Sequence, residues 1–358
     1  MGRSVLITGG AGFVGSSLGL GLVAQHPDWQ ITALDNLKRR GSELNLVRLQ
    51  QAGIRFIHGD IRNPEDLDPT IFAPNLPDLI IECSAEPSVL AGYGSPSYML
   101  QTNLGGTMNC LELARHTQAD FIFLSTSRVY PIAALQSLQY TETATRWQLL
   151  DQQSLPGASR HGIAETFPLE GARSLYGATK LASELLITEY AAAYGLRTLI
   201  NRCGVLTGPW QMGKVDQGVF VLWMAAHYFQ RSLQYIGYGG TGKQVRDFLH
   251  IADLLDLLLI QIDRLDELQG QTFNVGGGSS NTLSLWETTQ RCQAITGHTI
   301  PITSVPEARP GDIPIFVTDA RKVTAATGWR PQRDADATLW DIYQWIDQHH
   351  QQLRDILA

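Results

Sequence analysis

Through the first two-thirds of the chain, short runs rich in apolar and β-branched residues alternate with longer stretches of helical character. The runs "SVLITG", "QITALD", "IRFIHGD", "DLIIECS", "DFIFLST" and "RTLINRC" read as strands, with helical stretches between most of them. Strands that are apolar along their whole length have both faces covered, and their alternation with helices implies parallel crossover units. The pattern predicts an α/β fold built on a doubly wound parallel (Rossmann) sheet. After Cys203 the alternation loosens into a Gly/Pro-rich loop, "GVLTGPWQMG", and a helix near Val215 to Gln230. "GKQVRDFLHIADLLDLLLIQI" then reads as a strand returning to the sheet, followed by a helix. The expected division is residues 1–204 as the sheet domain, rejoined by 240–265, with 205–239 and 266–358 forming a smaller interleaved α/β lobe. In that lobe Ser284 and Glu287 have capping-box spacing and open a helix toward Gly297. Leu339, Ile342, Tyr343, Ile346 and Leu353 recur at helical spacing and predict one packed amphipathic helix near the C-terminus.

The stretch "VLITGGAGFVGSSL" gives the first strand a chemical meaning. It places Gly9, Gly12 and Gly15 after a hydrophobic strand, with Phe13 and Val14 inside the opening of a helix. Glycine allows the tight turn, the close approach of backbone to a pyrophosphate and close packing of helix on strand, while the helix N-terminus offers N–H donors to the anion. Such spacing alone is common; the context sharpens it. Asp35 ends the next strand in "ITALDN", 20 residues beyond Gly15, where a carboxylate meets adenosine ribose hydroxyls and repels a 2′-phosphate. The expected cofactor is therefore NAD, with Asn36 beside Asp35, and with Asp60 and Ile61 of "HGDIRN" near the adenine. The dense basic cluster "LKRRG" reads as a solvated loop.

A second stretch, "RSLYGATKLASELL", sets Tyr176 and Lys180 four residues apart on one helix face. A free phenol, with a pKa of about 10, is a poor base at neutral pH; an adjacent ammonium and a positively charged nicotinamide favour its phenolate. The pair can then serve as general base and acid, with the lysine also holding the nicotinamide ribose. Such a pair is frequent by chance and gains weight from following the glycine cradle. A hydroxyl at the end of the fifth strand completes the set, and "FIFLSTSRVYP" offers Ser125, Thr126 and Ser127.

Composition narrows the alternatives. A formal charge of -7 gives no basic footprint for nucleic acid. No run of about 18 apolar residues is present, and the N-terminus enters a strand without an apolar signal core, so no membrane partner and a cytoplasmic location are expected. The four cysteines lie far apart without CxxC pairing, which argues against a disulfide framework or a metal site. His349 and His350 are adjacent and so face different ways on a helix; no metal is expected.

Taken in order, TGGAGFVG, LDN, HGDIRN, "TNLGGTMNCLE", "STSRVY", "YGATK", "GKQVRDFLH" and "RPGD" resemble the extended short-chain dehydrogenase/reductase family, specifically its nucleotide-sugar epimerases. The resemblance covers nearly the whole chain. It implies catalytic roles for Tyr176, Lys180 and, aligned on Val129 and Tyr130, Thr126. It also implies a tightly held NAD, a nucleotide-diphosphate sugar as substrate, and a homodimer joined through the helices around Asn103 to His116 and Tyr176 to Tyr194. Arg246 and Arg309 match positions that grip the diphosphate, and Gln211 and Gln217 are candidate sugar or nucleotide contacts.

Related dehydratases carry an Asp-Glu pair where this chain has Ser127 and Arg128, so dehydration is disfavoured. The insert before "YGATK" resembles a subgroup acting at C2 of a CDP-linked deoxyhexose. UDP-sugar 4-epimerisation, net sugar oxidation and non-catalytic nucleotide binding are the alternatives. Two departures bear on the sugar. "ECSAEP" stands where relatives commonly have His-x-Ala, leaving Glu86 in the place of an amide, either as a second proton-transfer group or as a hydrogen-bonding one. Thr207 replaces a tyrosine usual before Gly208-Pro209.

Overall fold

The computed structural model describes residues 2–214 and 217–357. Its central feature is a seven-stranded sheet: β1 Ser4–Thr8, β2 Gln30–Asp35, β3 Arg55–His58, β4 Leu79–Glu82, β5 Asp120–Thr126, β6 Thr198–Cys203 and β7 Thr272–Val275. The spatial order is β7-β6-β5-β4-β1-β2-β3. The pairs β1–β2, β2–β3, β1–β4 and β4–β5 are all parallel. Chain order reverses between β1 and β4, and the crevice beyond the carboxyl ends of strands at such a switch point is where open α/β sheets bind ligands. Every residue of β5 is buried, as the apolar run Phe121–Leu124 at its centre requires of a strand covered on both faces. Leu6, Ile80, Phe121 and Phe123 meet Leu111 and Ile187 in a common core. Leu111 lies on helix α2, Gly106–Thr117, and Ile187 on helix α3, Leu175–Tyr194.

The chain forms two compact units. The first comprises 1–129, 175–202 and 254–273; the second comprises 130–174, 203–253 and 274–358. This division differs from the sequence-based one in two ways. Residues 130–174, expected with the sheet, belong to the second unit. The strand Val245–His250, expected to return to the central sheet, instead joins a four-stranded sheet in the second unit, beside Val205–Thr207, Thr282–Ser284 and Ile315–Phe316. The last place in the central sheet goes to β7. Hydrophobic pattern identifies a strand but not the edge it pairs with. The following helix, Ile251–Asp263, does contribute most of its length to the first unit, burying Leu254, Leu257, Leu258 and Ile262.

In the second unit the helix Leu285–Thr296 begins with the anticipated capping box: Glu287 N–H donates to Ser284 Oγ at 3.0 Å, and Ser284 N–H donates to the Glu287 carboxylate at 3.0 Å. Gly297 ends it in the left-handed region. The single C-terminal helix is instead two, Ala335–Gln348 and His350–Leu357, broken at His349, whose ring packs on Trp210. Among the described residues no helix is long and apolar enough to cross a membrane, and no group of three or more side chains is arranged to hold a metal. The four cysteines are free thiols. We expect Ser284→Ala to cost about 1 kcal/mol through loss of the cap, read as a lowered denaturation midpoint; an unchanged midpoint would contradict this account of the helix start.

Candidate active site

At the switch point, β1 gives way to Gly9, held at φ 65°, where a side chain would be strained. A Cβ there would also meet the carbonyl carbon of Cys83 at 3.0 Å, so the turn after β1 and the turn after β4 are pressed backbone to backbone. A Cβ on Gly15 would meet the Gly9 carbonyl oxygen at 2.3 Å, which holds helix α1, Phe13–Gln25, tight against this turn. The N-cap is Gly12 and no side chain caps the helix, so the opening turn, with Phe13 and Val14, offers its N–H groups to an outside acceptor. These features fit a pyrophosphate.

Asp35 stands beside the cradle and accepts from Ala11 N–H at 3.1 Å and Leu37 N–H at 2.7 Å. Burial pushes its carboxyl up from the ordinary value, against the pull of those N–H donors. Leu37 itself sits at φ 54°, a strained setting for a branched side chain. Asn36 donates to Asp60 at 2.9 Å, and Arg62 clamps the same carboxylate. Burial raises Asp60, but the donors from Arg62 and Asn36 outweigh it and hold it at about 2. A cavity of about 420 Å³ opens here, lined by Asn36, Lys38, His58, Asp60, Arg62 and Asn63. Lys38, read from sequence as part of a solvated loop, lies with its ammonium 3.1 Å from the centroid of the Tyr98 ring. Ile61 is buried, and its carbonyl accepts from Asn109, so it shapes this end from below.

Thr126 is the last residue of β5, and Tyr176 and Lys180 occupy the first two turns of α3, which packs on β5. All three are buried. The Lys180 ammonium lies 3.7 Å from the centroid of the Phe123 ring, three residues before Thr126 on the same strand. Thr126 Oγ accepts from Arg128 N–H at 3.2 Å. Of the other hydroxyls, Ser125 is committed: it donates to Glu184 at 2.5 Å, and Glu184 also receives two donors from Arg202. That leaves Thr126, with Ser127 half-buried beside it.

Glu86 is also placed in this unit, and the residue that places it, Asn103, was not among the candidates read from sequence. Asn103 accepts from Glu86 N–H at 2.8 Å, donates to the Glu86 carbonyl at 3.1 Å, and donates to Thr179 Oγ at 3.2 Å, next to Lys180. It can do so because Gln101–Gly105 form a π-helical turn, a widening that turns side chains out of the usual register. The "TNLGG" motif was the available signal. The Glu86 carboxylate itself accepts from Ser88 N–H at 3.2 Å.

The second unit holds the remaining candidates. Arg246 donates to Asp312 at 3.1 Å and to the Ile313 carbonyl at 2.6 Å, so the strand Val245–His250 is tied to the segment carrying Arg309. Gln211 spends its amide within its own loop, donating to the Leu206 carbonyl at 2.9 Å and accepting from Thr207 at 3.0 Å. Gln217 exchanges backbone hydrogen bonds with Lys214.

A glycine cradle at the switch point of a doubly wound sheet, with a tyrosine and lysine on the helix covering the next strand, defines a dinucleotide-dependent enzyme. The profile of the NAD dependent epimerase/dehydratase family matches residues 5–276. The chain belongs to this family, uses NAD, and is an epimerase-type enzyme of nucleotide sugars. It is 32% identical to CDP-paratose 2-epimerase of Salmonella typhi, over 95% of this chain and 98% of that protein. It is 28% identical to UDP-glucose 4-epimerase of Erwinia amylovora, over 97% and 99% respectively. The crystal structure of Thermus thermophilus UDP-glucose 4-epimerase with NAD superposes with TM-score 0.77 at 25% identity, covering 96% of this chain and 99% of that one.

The buried Glu184–Arg202 pair that ties up Ser125 anchors α3 to β6. Removing one partner leaves the other charge buried and unanswered, so Glu184→Gln should lower stability by about 3–5 kcal/mol in chemical denaturation; a loss within error of zero would show that the pair does not fix α3.

Proposed function

We propose that this enzyme inverts C2 of a CDP-linked deoxyhexose by transient oxidation to a keto sugar and reduction on the opposite face, with Thr126, Tyr176 and Lys180 as its catalytic residues. The observation that carries the site assignment is the placement of these three buried side chains at the carboxyl end of β5 and on the helix packed against it, in the same unit as the glycine cradle. Gly9, Gly12, Phe13, Val14 and Gly15 would hold the NAD pyrophosphate, Asp35 and Asn36 the adenosine ribose, and Asp60 and Ile61 the adenine end. NAD when bound supplies the redox chemistry, taking a hydride from the sugar carbinol and giving it back. Tyr176 removes the carbinol proton and later returns it. Lys180 makes this feasible at neutral pH, because a cation favours the phenolate over the phenol. Thr126 hydrogen-bonds the same sugar oxygen and fixes its direction. Arg246 and Arg309 bring guanidinium groups suited to a diphosphate, and Glu86, Gln211 and Gln217 are assigned to sugar or nucleotide contacts.

The C2 assignment is supported by the 32% identity to the CDP-paratose 2-epimerase across almost the whole of both chains. Ser127 and Arg128, in the place of an acidic pair, leave no carboxylates there to eliminate water. A second reading, 4-epimerisation of a UDP-sugar, is favoured by the likeness to UDP-glucose 4-epimerases in both sequence and fold. We also assign a cytoplasmic homodimer: Met108 on α2 and Leu185 and Tyr194 on α3 expose large apolar side chains on the two helices that would pair.

Tyr176→Phe should keep its NAD while losing roughly 10²–10⁴-fold in turnover, the usual worth of a general acid–base group; full activity in that variant would remove the mechanism. Incubation with CDP- and UDP-linked hexoses followed by NMR of the products separates the two sugar readings. Inversion at C4 without any at C2 would overturn the first.

A further inference from the structure

Beneath the proposed catalytic lysine lies a carboxyl group that the reaction as written does not use. Glu82 ends β4 and is fully buried, 0% exposed, in an otherwise apolar strand. In the sheet it pairs with Phe123 of β5, and neighbours in register project to the same face. That face is where the Lys180 ammonium sits, 3.7 Å from the Phe123 ring centroid. Lys180 is itself only 2% exposed, so little solvent screens a charge on one group from the other.

The hydrogen bonds around Glu82 suit a protonated carboxyl. Thr107 Oγ lies 2.7 Å from Glu82 Oε1 and 2.7 Å from the carbonyl oxygen of Asn103. A hydroxyl has one proton and the carbonyl can only accept. When Thr107 donates to Asn103, its short contact to Glu82 requires the proton on the carboxyl. Glu82 Oε2 is buried and has no hydrogen-bond partner among the described residues, a setting a neutral acid tolerates and a carboxylate does not. The titratable groups facing it are Lys180 from α3 and the Cys110 thiol from α2.

We propose that Glu82 is a positioning residue held as a neutral acid under Lys180, and that its ionisation sets how strongly Lys180 acts on Tyr176. With Glu82 neutral, the ammonium acts undiminished on the phenol. Once Glu82 is ionised, its negative charge offsets the ammonium and makes Tyr176 a weaker acid. Burial drives the Glu82 carboxyl up to about 7, against the opposing pull of Lys180 and Thr107, so the change falls near neutrality. The native state then keeps this proton between the ordinary value of 4.5 and about 7 while the unfolded chain has lost it, so the contribution to stability is complete below that window and declines as pH rises through it.

The inference rests on the catalytic reading of Tyr176 and Lys180, and the experiment separates the two. Infrared titration of the NAD-loaded enzyme in heavy water should show a protonated-carboxyl band that is absent from Glu82→Gln and disappears near neutrality in the wild type. Thr107→Val, which removes a donor to the ionised form, should move that titration to higher pH and serves if Glu82→Gln folds poorly. The acid limb of the turnover profile should shift to lower pH in Glu82→Gln, with KM for the sugar unchanged. A wild-type spectrum without the Glu82 band below neutrality, or a variant with an unshifted profile, overturns the proposal. An active Tyr176→Phe would instead overturn the catalytic reading and leave the infrared assignment standing.

Discussion

A lysine ammonium removed almost wholly from water is costly unless its surroundings answer the charge, and the first unit is organised around meeting that cost for Lys180. The ring face of Phe123 offers a π-cloud at 3.7 Å. The π-helical turn at 101–105 supplies Asn103, which binds Thr179 beside the lysine and both backbone groups of Glu86. Because β5 is buried along its length and Ser125 donates to the Glu184 carboxylate, the strand cannot slide relative to α3 without breaking a buried hydrogen bond to a charged group. In the proposed mechanism, a cation fixed in this way polarises the Tyr176 phenol.

The cofactor cradle is set by a different constraint, steric and not electrostatic. At Gly9 and Gly15 a side chain would press on backbone: Gly9 permits the contact between the turn after β1 and the turn after β4, and Gly15 the packing of α1 on the β1 turn. Asp35 adds to this by accepting from Ala11 N–H inside the cradle. The carboxylate read as a ribose ligand is thus also a brace for the loop proposed to hold the pyrophosphate, so replacing it would loosen two contacts together.

Much of this was legible in the sequence because it is local. Unbroken apolar strands gave the doubly wound sheet, glycine spacing followed by an acidic residue gave the cradle, and four-residue spacing placed Tyr176 and Lys180 on one face. Ser284 and Glu287 gave a helix start that the backbone realises. What was not legible depends on pairing at a distance. Val245–His250 has the composition of a core strand, and nothing in it says that it pairs with Val205–Thr207 in a separate sheet while Thr272–Val275 takes the place beside β6. Glu82 was visible as a carboxylate closing an apolar run, yet its partners Thr107, Phe123 and Lys180 come from three other elements. Asn103 was present in a motif, but its reach depends on a π-turn that no periodicity announces.

The account stands on the claim that a buried ammonium makes a particular phenol acidic, and that claim can be measured directly. With tyrosine labelled at Cζ, NMR titration of the NAD-loaded enzyme should show Tyr176, identified by its absence in Tyr176→Phe, ionising well below the ordinary value of about 10, and returning toward that value in Lys180→Met. A Tyr176 resonance that titrates at the ordinary value in both proteins would contradict the account.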